Sequence, residues 1–210
     1  MQLTEQFENK IQLFVKEQMT QDQAHDMSHL LRVVKTAKQL CEDEKACNEV
    51  VIPAAYLHDC VSFPKNHPDR AQSSTLAAKK AIEFLTSIDY PSEFYEQISH
   101  AIITHSYSAN IKPETVEAKI VQDADRLDAL GAIGIARCLQ VGCSLGLALY
   151  NDEDPFCEHR EMDDRAYSID HFYNKLFKLA DTMNTDSATI EAQRRTEFMR
   201  EYLRQLGAEV

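Results

Sequence analysis

The residues best suited to chemistry are a histidine and an aspartate at the end of an apolar segment. His58 and Asp59 directly follow the apolar run AAYL. Burying an imidazole and a carboxylate without partners costs free energy, and a divalent cation would satisfy both groups. The alternative for a single His-Asp dipeptide is an ion pair at the end of a helix. The dipeptide alone leaves both interpretations open.

Further histidines and acids lie in apolar surroundings elsewhere in the chain. His29 lies one helix earlier, in AHDMSHLLRV, and three acids lie in the segment VQDADRLDA. Asp125 and Asp128 are three residues apart and share a helical face. A run of acids is often only a solvated face, but the apolar residues around this one indicate that part of it is buried. A helical scaffold in which these residues bind no metal stays open as an alternative.

The segment after the dipeptide and a later helix add basic candidates. Lys65 and Arg70 lie in a Pro-containing loop, where they would either hold phosphate groups or form a solvated surface. His100 and His105 are five residues apart, about 140° around a helix. Both reach one site only if the helix ends or bends near His105.

The elements that must position these residues are helices. The chain has only 5 Gly and 6 Pro, strand-like alternation is scarce, and helical spacing of apolar residues is plentiful. We therefore predict an all-α, multi-helix bundle. The first three predicted helices are 4–19, capped by Thr4, then 26–42, and then the segment EVVIPAAYLHD, in which Pro53 starts or kinks the helix. The next three are 72–86, one opened by Pro91, and one opened by Pro113 and Thr115. A buried helix pair is predicted within 129–150, and two more helices near 169–183 and 188–206.

We expect one domain over residues 1–210, because this length suits a single large core. Its helical core is predicted over about 22–130, followed by a C-terminal part with two helices over about 150–206. The acidic stretch NDEDPFCEHREMDD, residues 151–164, is the least regular internal segment and is long enough for a lid or an interface loop.

Composition restricts the partners. The formal net charge of −12 argues against a surface that coats nucleic acid polymers. The N-terminus, MQLTEQFENK, lacks the apolar segment of a signal peptide, and no stretch is typical of a membrane span. The six cysteines are scattered without a CxxC pair, which favours free thiols and a cytoplasmic location.

The order His29, His58-Asp59, Asp125 resembles the metal signature of the HD-domain phosphohydrolase superfamily. The resemblance extends through PKNHPDR, HAIITHS, KIVQDADRLDALGAIG and DPF, and it is greatest to short bacterial HD hydrolases of the YedJ type. It implies an HD-domain bundle in which His29, His58, Asp59 and Asp125 bind one divalent metal, with a second metal left open. This donor set suits Mn²⁺, Mg²⁺, Fe²⁺, Co²⁺, Ni²⁺ or Zn²⁺.

The resemblance also implies further roles. Asp59 would orient or deprotonate a water that the metal activates, and His105 would be a second catalytic residue. Independently of the resemblance, the positive charges of Lys65 and Arg70 predict that they bind substrate phosphate, with a solvated loop as the alternative. His100 would lie beside a ligand or bind the second metal. From its own position, Asp128 is expected to accept a hydrogen bond from a ligand imidazole and so orient it, or to bind the second metal.

The function expected from these features is metal-dependent hydrolysis of a small phosphorylated substrate, preferably a nucleotide, by a nucleotidase, pyrophosphohydrolase or phosphodiesterase. The alternative is a regulatory HD protein that binds metal and nucleotide without turnover. Di-iron redox chemistry stays open through His100 and His105. The turn CVSFPK lacks the acids that some nucleotide-directed relatives carry there, so their catalytic acid is not transferred. A homodimer is the expected assembly.

Overall fold

The computed structural model describes residues 3–18, 27–63, 67–106 and 111–210. Residue contacts divide the chain into two compact units, Met1–Asp125 and Arg126–Val210. The single domain stays a prediction. The expected start of the second helix at residue 26 lies outside the described residues, as does Lys65.

The first unit is built from helices, which confirms the all-α prediction. They are α1 (Leu3–Gln18), α2 (Met27–Asp43), α3 (Asn48–Leu57), α4 (Ser73–Ser87), α5 (Tyr95–His105) and α6 (Val116–Leu127). Pro91 precedes a 3₁₀ turn, Ser92–Phe94, so α5 begins later than the sequence predicts. Among the described residues, none of the helices combines the length and apolar character that crossing a bilayer requires.

Helix α3 is the central element of the first unit and packs against α1, α2, α4 and α5. Pro53 lies inside the helix rather than at its start. Proline has no N–H, so it cannot donate to the carbonyl of Glu49 four residues earlier. The hydroxyl of Tyr90 donates to that carbonyl at 2.7 Å. A side chain from outside α3 therefore replaces the hydrogen bond that Pro53 removes.

A polar network ties α3 to the two preceding helices. The hydroxyl of Tyr56 donates to Glu8 Oε1 at 2.6 Å, and Lys38 Nζ donates to the same oxygen at 2.6 Å. Gln12 Nε2 donates to the Tyr56 hydroxyl at 2.6 Å. These bonds fix the orientation of α3, which carries the His-Asp dipeptide at its end.

The second unit contains α7 (Gly131–Ser144), α8 (Phe177–Leu179) and α9 (Asp186–Gly207). The predicted helix pair within 129–150 is wrong, because α7 is one helix that ends where Gly146 adopts a φ of 72°. A backbone in this left-handed region cannot continue a right-handed helix. The helix predicted over 169–183 consists of a π-helical turn, Phe172–Leu176, then α8 and a 3₁₀ turn, Ala180–Thr182.

The acidic stretch 151–164 contains no helix, as predicted, yet it is held by specific bonds. The Asp154 carboxylate accepts backbone N–H groups from Glu158, His159 and Arg160 at 2.8 to 3.0 Å. Arg160 in turn donates to both oxygens of the buried Asp170 at 2.6 and 2.7 Å. The Asp154 bonds thus fold the segment on itself, and the Arg160–Asp170 pair holds it against the rest of the second unit.

Candidate metal centre

The candidate centre begins at the C-terminal end of α3, where His58 and Asp59 follow the last helical residue, Leu57. Every residue from Val50 to Leu57 is buried, so the dipeptide emerges in the interior. His58 is fully buried and the side chain of Asp59 is 17% exposed. The C-terminal end of a helix carries partial negative charge, which favours a cation beside it.

Two imidazole rings of the centre are fixed by a carbonyl group three residues earlier. Nδ1 of His58 lies 2.8 Å from the Ala55 carbonyl oxygen, and Nδ1 of His105 lies 2.6 Å from that of Ile102. A carbonyl oxygen only accepts hydrogen bonds, so each Nδ1 carries the hydrogen. In the neutral ring the lone pair is then on Nε2, the atom that would bind a metal.

The Asp59 carboxylate lies between these two imidazoles. Its Oδ2 is 3.4 Å from His58 Nε2, and its Oδ1 is 3.5 Å from His105 Nε2. The two ring centroids are 4.8 Å apart. Each of the two rings therefore has a different oxygen of the Asp59 carboxylate facing its Nε2 atom.

His29 from α2 and Asp125 from α6 meet beside His58. Nε2 of His29 is 3.4 Å from Asp125 Oδ1, and the ring centroids of His29 and His58 are 6.0 Å apart. Among the described residues, two groups could hold a metal ion, each with ligand atoms within 4.8 Å of one another. The first group is His29, His58 and Asp125. The second group is His58, Asp59 and His105. The structure thus brings the four expected ligands together around a shared His58, with His105 beside them.

The pKa values in this cluster reflect its charges. Burial lowers the pKa of the His58 imidazole, but the adjacent Asp59 carboxylate raises it more, to about 9. Burial raises the pKa of Asp59, yet the imidazoles of His58 and His105 hold it well below its usual range. The pKa of Asp125 is also lowered, against the effect of burial, by the hydrogen bond from His29 and the charge on His58. Both carboxylates are therefore charged at neutral pH, and a metal ion at His58 Nε2 would displace the proton that Asp59 stabilises there.

The residues of the cluster fit a divalent cation. Nε2 of His58 is buried and makes no hydrogen bond to any group that the structure describes. A buried polar atom without a partner is costly, and a metal ion would satisfy it. The donors are imidazole nitrogens and carboxylate oxygens; the nearby Cys60 thiol donates to the Ala77 carbonyl instead. This set matches first-row divalent metals or Mg²⁺ rather than a closed structural zinc site.

The structure places two other expected site residues in local contacts. His100 lies in neither candidate metal group found among the described residues, and its Nε2 accepts the backbone N–H of Glu114 at 3.1 Å. Its expected role beside a ligand or at a second metal stays a prediction. Arg70 Nη1 donates to the Phe63 carbonyl at 3.0 Å and braces the loop after the dipeptide.

Asp128 belongs to the second unit, where Arg137 Nη1 donates to its Oδ2 at 2.7 Å. The sequence predicts that Asp128 orients a ligand imidazole. Backbone carbonyls orient the imidazoles of His58 and His105, and the expected role of Asp128 at a ligand imidazole stays a prediction.

These carbonyls are the contribution that sequence reasoning missed. His58 follows the last residue of α3 and His105 is the last residue of α5. The carbonyls in the last turn of a helix lack partners within the helix, so a histidine placed there can bond to one of them. A histidine at a predicted helix end is therefore the signal that could have identified both anchors.

Comparison with known proteins agrees with this geometry. The HD domain family matches residues 27–130. The protein YpgQ of Bacillus subtilis is 34% identical over 206 residues, which cover 96% of this chain and 92% of the relative.

Solved structures extend the comparison to the whole fold. The crystal structure of YpgQ in complex with ADP has a TM-score of 0.76 at 32% identity, covering 100% of this chain and 97% of that one. An HD-superfamily hydrolase from Bacillus thuringiensis has a TM-score of 0.76 at 33% identity, covering 99% and 98%. This chain therefore belongs to the HD-domain family and has the fold of the HD-superfamily hydrolases.

Proposed function

We propose that the protein is a divalent-metal-dependent phosphohydrolase that acts on a small nucleotide. The observation that carries the proposal is that the imidazoles of His29 and His105 and the carboxylates of Asp59 and Asp125 lie close to the imidazole of His58. The nucleotide is supported by the relative YpgQ, whose crystal structure was determined in complex with ADP.

In this proposal His29, His58, Asp59 and Asp125 hold the metal ion. The bound ion supplies Lewis acidity, which lowers the pKa of water toward ~7 and neutralises charge that develops on a phosphoryl group. An ion that takes more than four ligands would also accept a water and a phosphate oxygen, so these four residues would leave room for the substrate.

The proton is handled by Asp59 and His105. The Asp59 carboxylate accepts a hydrogen bond from the attacking water and orients it toward phosphorus. His105 Nε2 takes the proton, because the hydrogen of that ring is held on Nδ1 by the Ile102 carbonyl. The water oxygen bonds to phosphorus as the bond to the leaving oxygen breaks, and the leaving oxygen takes a proton from solvent.

Arg70 and Lys65 are the proposed phosphate contacts. The guanidinium of Arg70 has five N–H donors, of which the bond to the Phe63 carbonyl uses one. The loop that Arg70 braces begins directly after the dipeptide, so both cations are close in sequence to the proposed ligand Asp59.

The test is a panel of nucleotides and simple phosphate esters with Mn²⁺, Mg²⁺, Co²⁺ and Ni²⁺. Asp59→Ala should lower kcat by about 100-fold or more, since it removes a ligand and the acceptor for water. The exposed acid Asp152 provides the matched control, and Asp152→Ala should leave kcat unchanged. Tight ADP binding without product from any substrate would replace this proposal with the regulatory binder.

A further inference from the structure

Two aromatic rings stack on each other in the loop after the His-Asp dipeptide. The ring centroids of Phe63 and His67 are 4.3 Å apart and the rings lie within 10° of parallel. The side chain of His67 is 37% exposed, and Phe63 is half-buried. A stacked pair at a partly exposed position offers a flat π surface to a ligand.

The pair is held in place by bonds to both of its members. The Phe63 N–H donates to Ser73 Oγ at 3.3 Å, and the Phe63 carbonyl accepts Arg70 Nη1 at 3.0 Å. The His67 carbonyl accepts a hydrogen bond from the Arg70 backbone N–H at 3.1 Å, and Nδ1 of the His67 ring accepts one from the Asp69 N–H at 3.1 Å. Arg70 thus anchors both residues of the stacked pair.

Helix α4 places the stacked pair near the candidate metal centre. The thiol of Cys60, the residue next to Asp59, donates a hydrogen bond to the Ala77 carbonyl at 3.4 Å. The Phe63 N–H donates a hydrogen bond to Ser73. Ser73 and Ala77 are one turn apart on α4, about 6 Å along its axis. The four residue steps from Asp59 to Phe63 also span at most about 14 Å. A nucleotide carries its base at the far end of a ribose and phosphate chain of comparable length.

We propose that Phe63 and His67 form the platform on which the nucleobase of the substrate stacks while its phosphates reach the metal centre. This inference rests on the proposed function and names the part of the site that recognises nucleosides. Stacking uses the π face that every base has, so the platform selects nucleotides over simple phosphate esters without selecting one base. Arg70, which anchors the platform, links base recognition to the proposed phosphate contact.

The test is calorimetric titration of the full chain with ADP and with inorganic pyrophosphate, both in the presence of Mg²⁺. Phe63→Leu keeps an apolar side chain but removes the ring, and should weaken ADP binding about tenfold. Phe63→Tyr keeps the ring and should retain wild-type affinity. Pyrophosphate has no base, so its affinity should be the same in all three proteins. Phe198→Leu, at an exposed aromatic residue of α9, is the matched control.

The platform is supported only if ADP binding falls in Phe63→Leu, returns in Phe63→Tyr, and pyrophosphate binding stays constant. Equal losses for ADP and pyrophosphate would show that Phe63 only positions phosphate contacts, and would overturn the inference. Unchanged ADP affinity in Phe63→Leu would overturn it as well, as would absence of ADP binding to the wild type. Titration needs no turnover, so loss of the proposed hydrolysis and loss of the platform are separate results.

Discussion

Single residues decide which atoms of the centre face a cation. His58 and His105 each hold their hydrogen on Nδ1 through a carbonyl of their own segment, which leaves Nε2 directed toward Asp59. The two rings differ in their neighbours: His58 belongs to both candidate metal groups, and His105 belongs to one. This difference suggests that the two histidines respond differently to substitution.

His105→Gln should separate catalysis from metal binding. We expect kcat to fall by about 10²- to 10⁴-fold, because Gln cannot take a proton from water. The metal content of the purified protein should be unchanged, since His29, His58, Asp59 and Asp125 remain. Steady-state kinetics and metal analysis measure the two effects, with His159→Gln at an exposed position as the control. Loss of metal together with activity would make His105 a ligand rather than a proton acceptor.

Asp125→Asn should remove the response of thermal stability to metal. An ion that binds only the folded protein adds about 2.7 kcal/mol at 100 times its Kd, so Mn²⁺ should raise the Tm of the wild type. The amide lacks the charge that attracts the cation, so the variant should show little or no rise. Scanning calorimetry with and without Mn²⁺ measures this, and Asp152→Asn should behave as the wild type. An undiminished rise in Asp125→Asn would exclude Asp125 as a ligand.

Among the helices, α3 has the most influence on the centre, because the dipeptide follows it directly. Its apolar sequence buries it against four neighbouring helices, and Pro53 leaves one carbonyl for Tyr90 to satisfy. The position of His58 and Asp59 therefore depends on a hydrogen bond from a residue 41 positions from its acceptor.

Tyr90→Phe should lower the free energy of unfolding by about 1–2 kcal/mol, because the partly buried Glu49 carbonyl loses its donor. Pro53→Ala restores a backbone N–H that can donate to the same carbonyl of Glu49. In the Pro53→Ala background, Tyr90→Phe should therefore cost less. Urea denaturation of the four proteins in this cycle gives the coupling. Equal costs in both backgrounds would show that the Tyr90 bond does not compensate for Pro53.

How far the elements could be predicted depended on their periodicity. The apolar spacing in α2 and the apolar run in α3 predicted helices, and the structure has them. The segment 129–150 is apolar enough for two helices, yet the left-handed backbone at Gly146 ends α7 and the chain continues without a second one. The site residues His29, His58, Asp59 and Asp125 could be named from their order and resemblance. The carbonyl anchors could not, because they depend on where each helix ends.

At the scale of the whole molecule, the chain carries a net charge of −12, and its buried ion pairs make stability depend on pH. Burial raises the pKa of Asp170, but the Arg160 guanidinium lowers it more, so the folded pKa lies below its usual value. A lowered folded pKa stabilises the protein above the unfolded value of about 3.9. That stabilisation is lost as pH falls through the folded pKa.

Asp170→Asn should therefore destabilise the protein more at pH 7 than at pH 3. At pH 7 we expect a loss of about 3 kcal/mol, because Arg160 loses a buried partner. The difference from the wild type should shrink toward pH 3 as Asp170 of the wild type becomes protonated. Urea denaturation at both pH values measures this, with the exposed Asp181→Asn as the control. A difference that stays constant with pH would mean that the charge of Asp170 does not contribute.

The hydrogen bonds and the ion pair that hold residues 151–164 also have an evolutionary consequence. The conformation of this stretch is encoded in three side chains, Asp154, Arg160 and Asp170, while exposed positions between them such as Glu158 and Glu161 are less constrained. Losing either member of the Arg160–Asp170 pair alone leaves a charge without its counterpart, which is costly. In descendants of this sequence we expect Arg160 and Asp170 to be kept or replaced together, while the exposed residues of the segment vary.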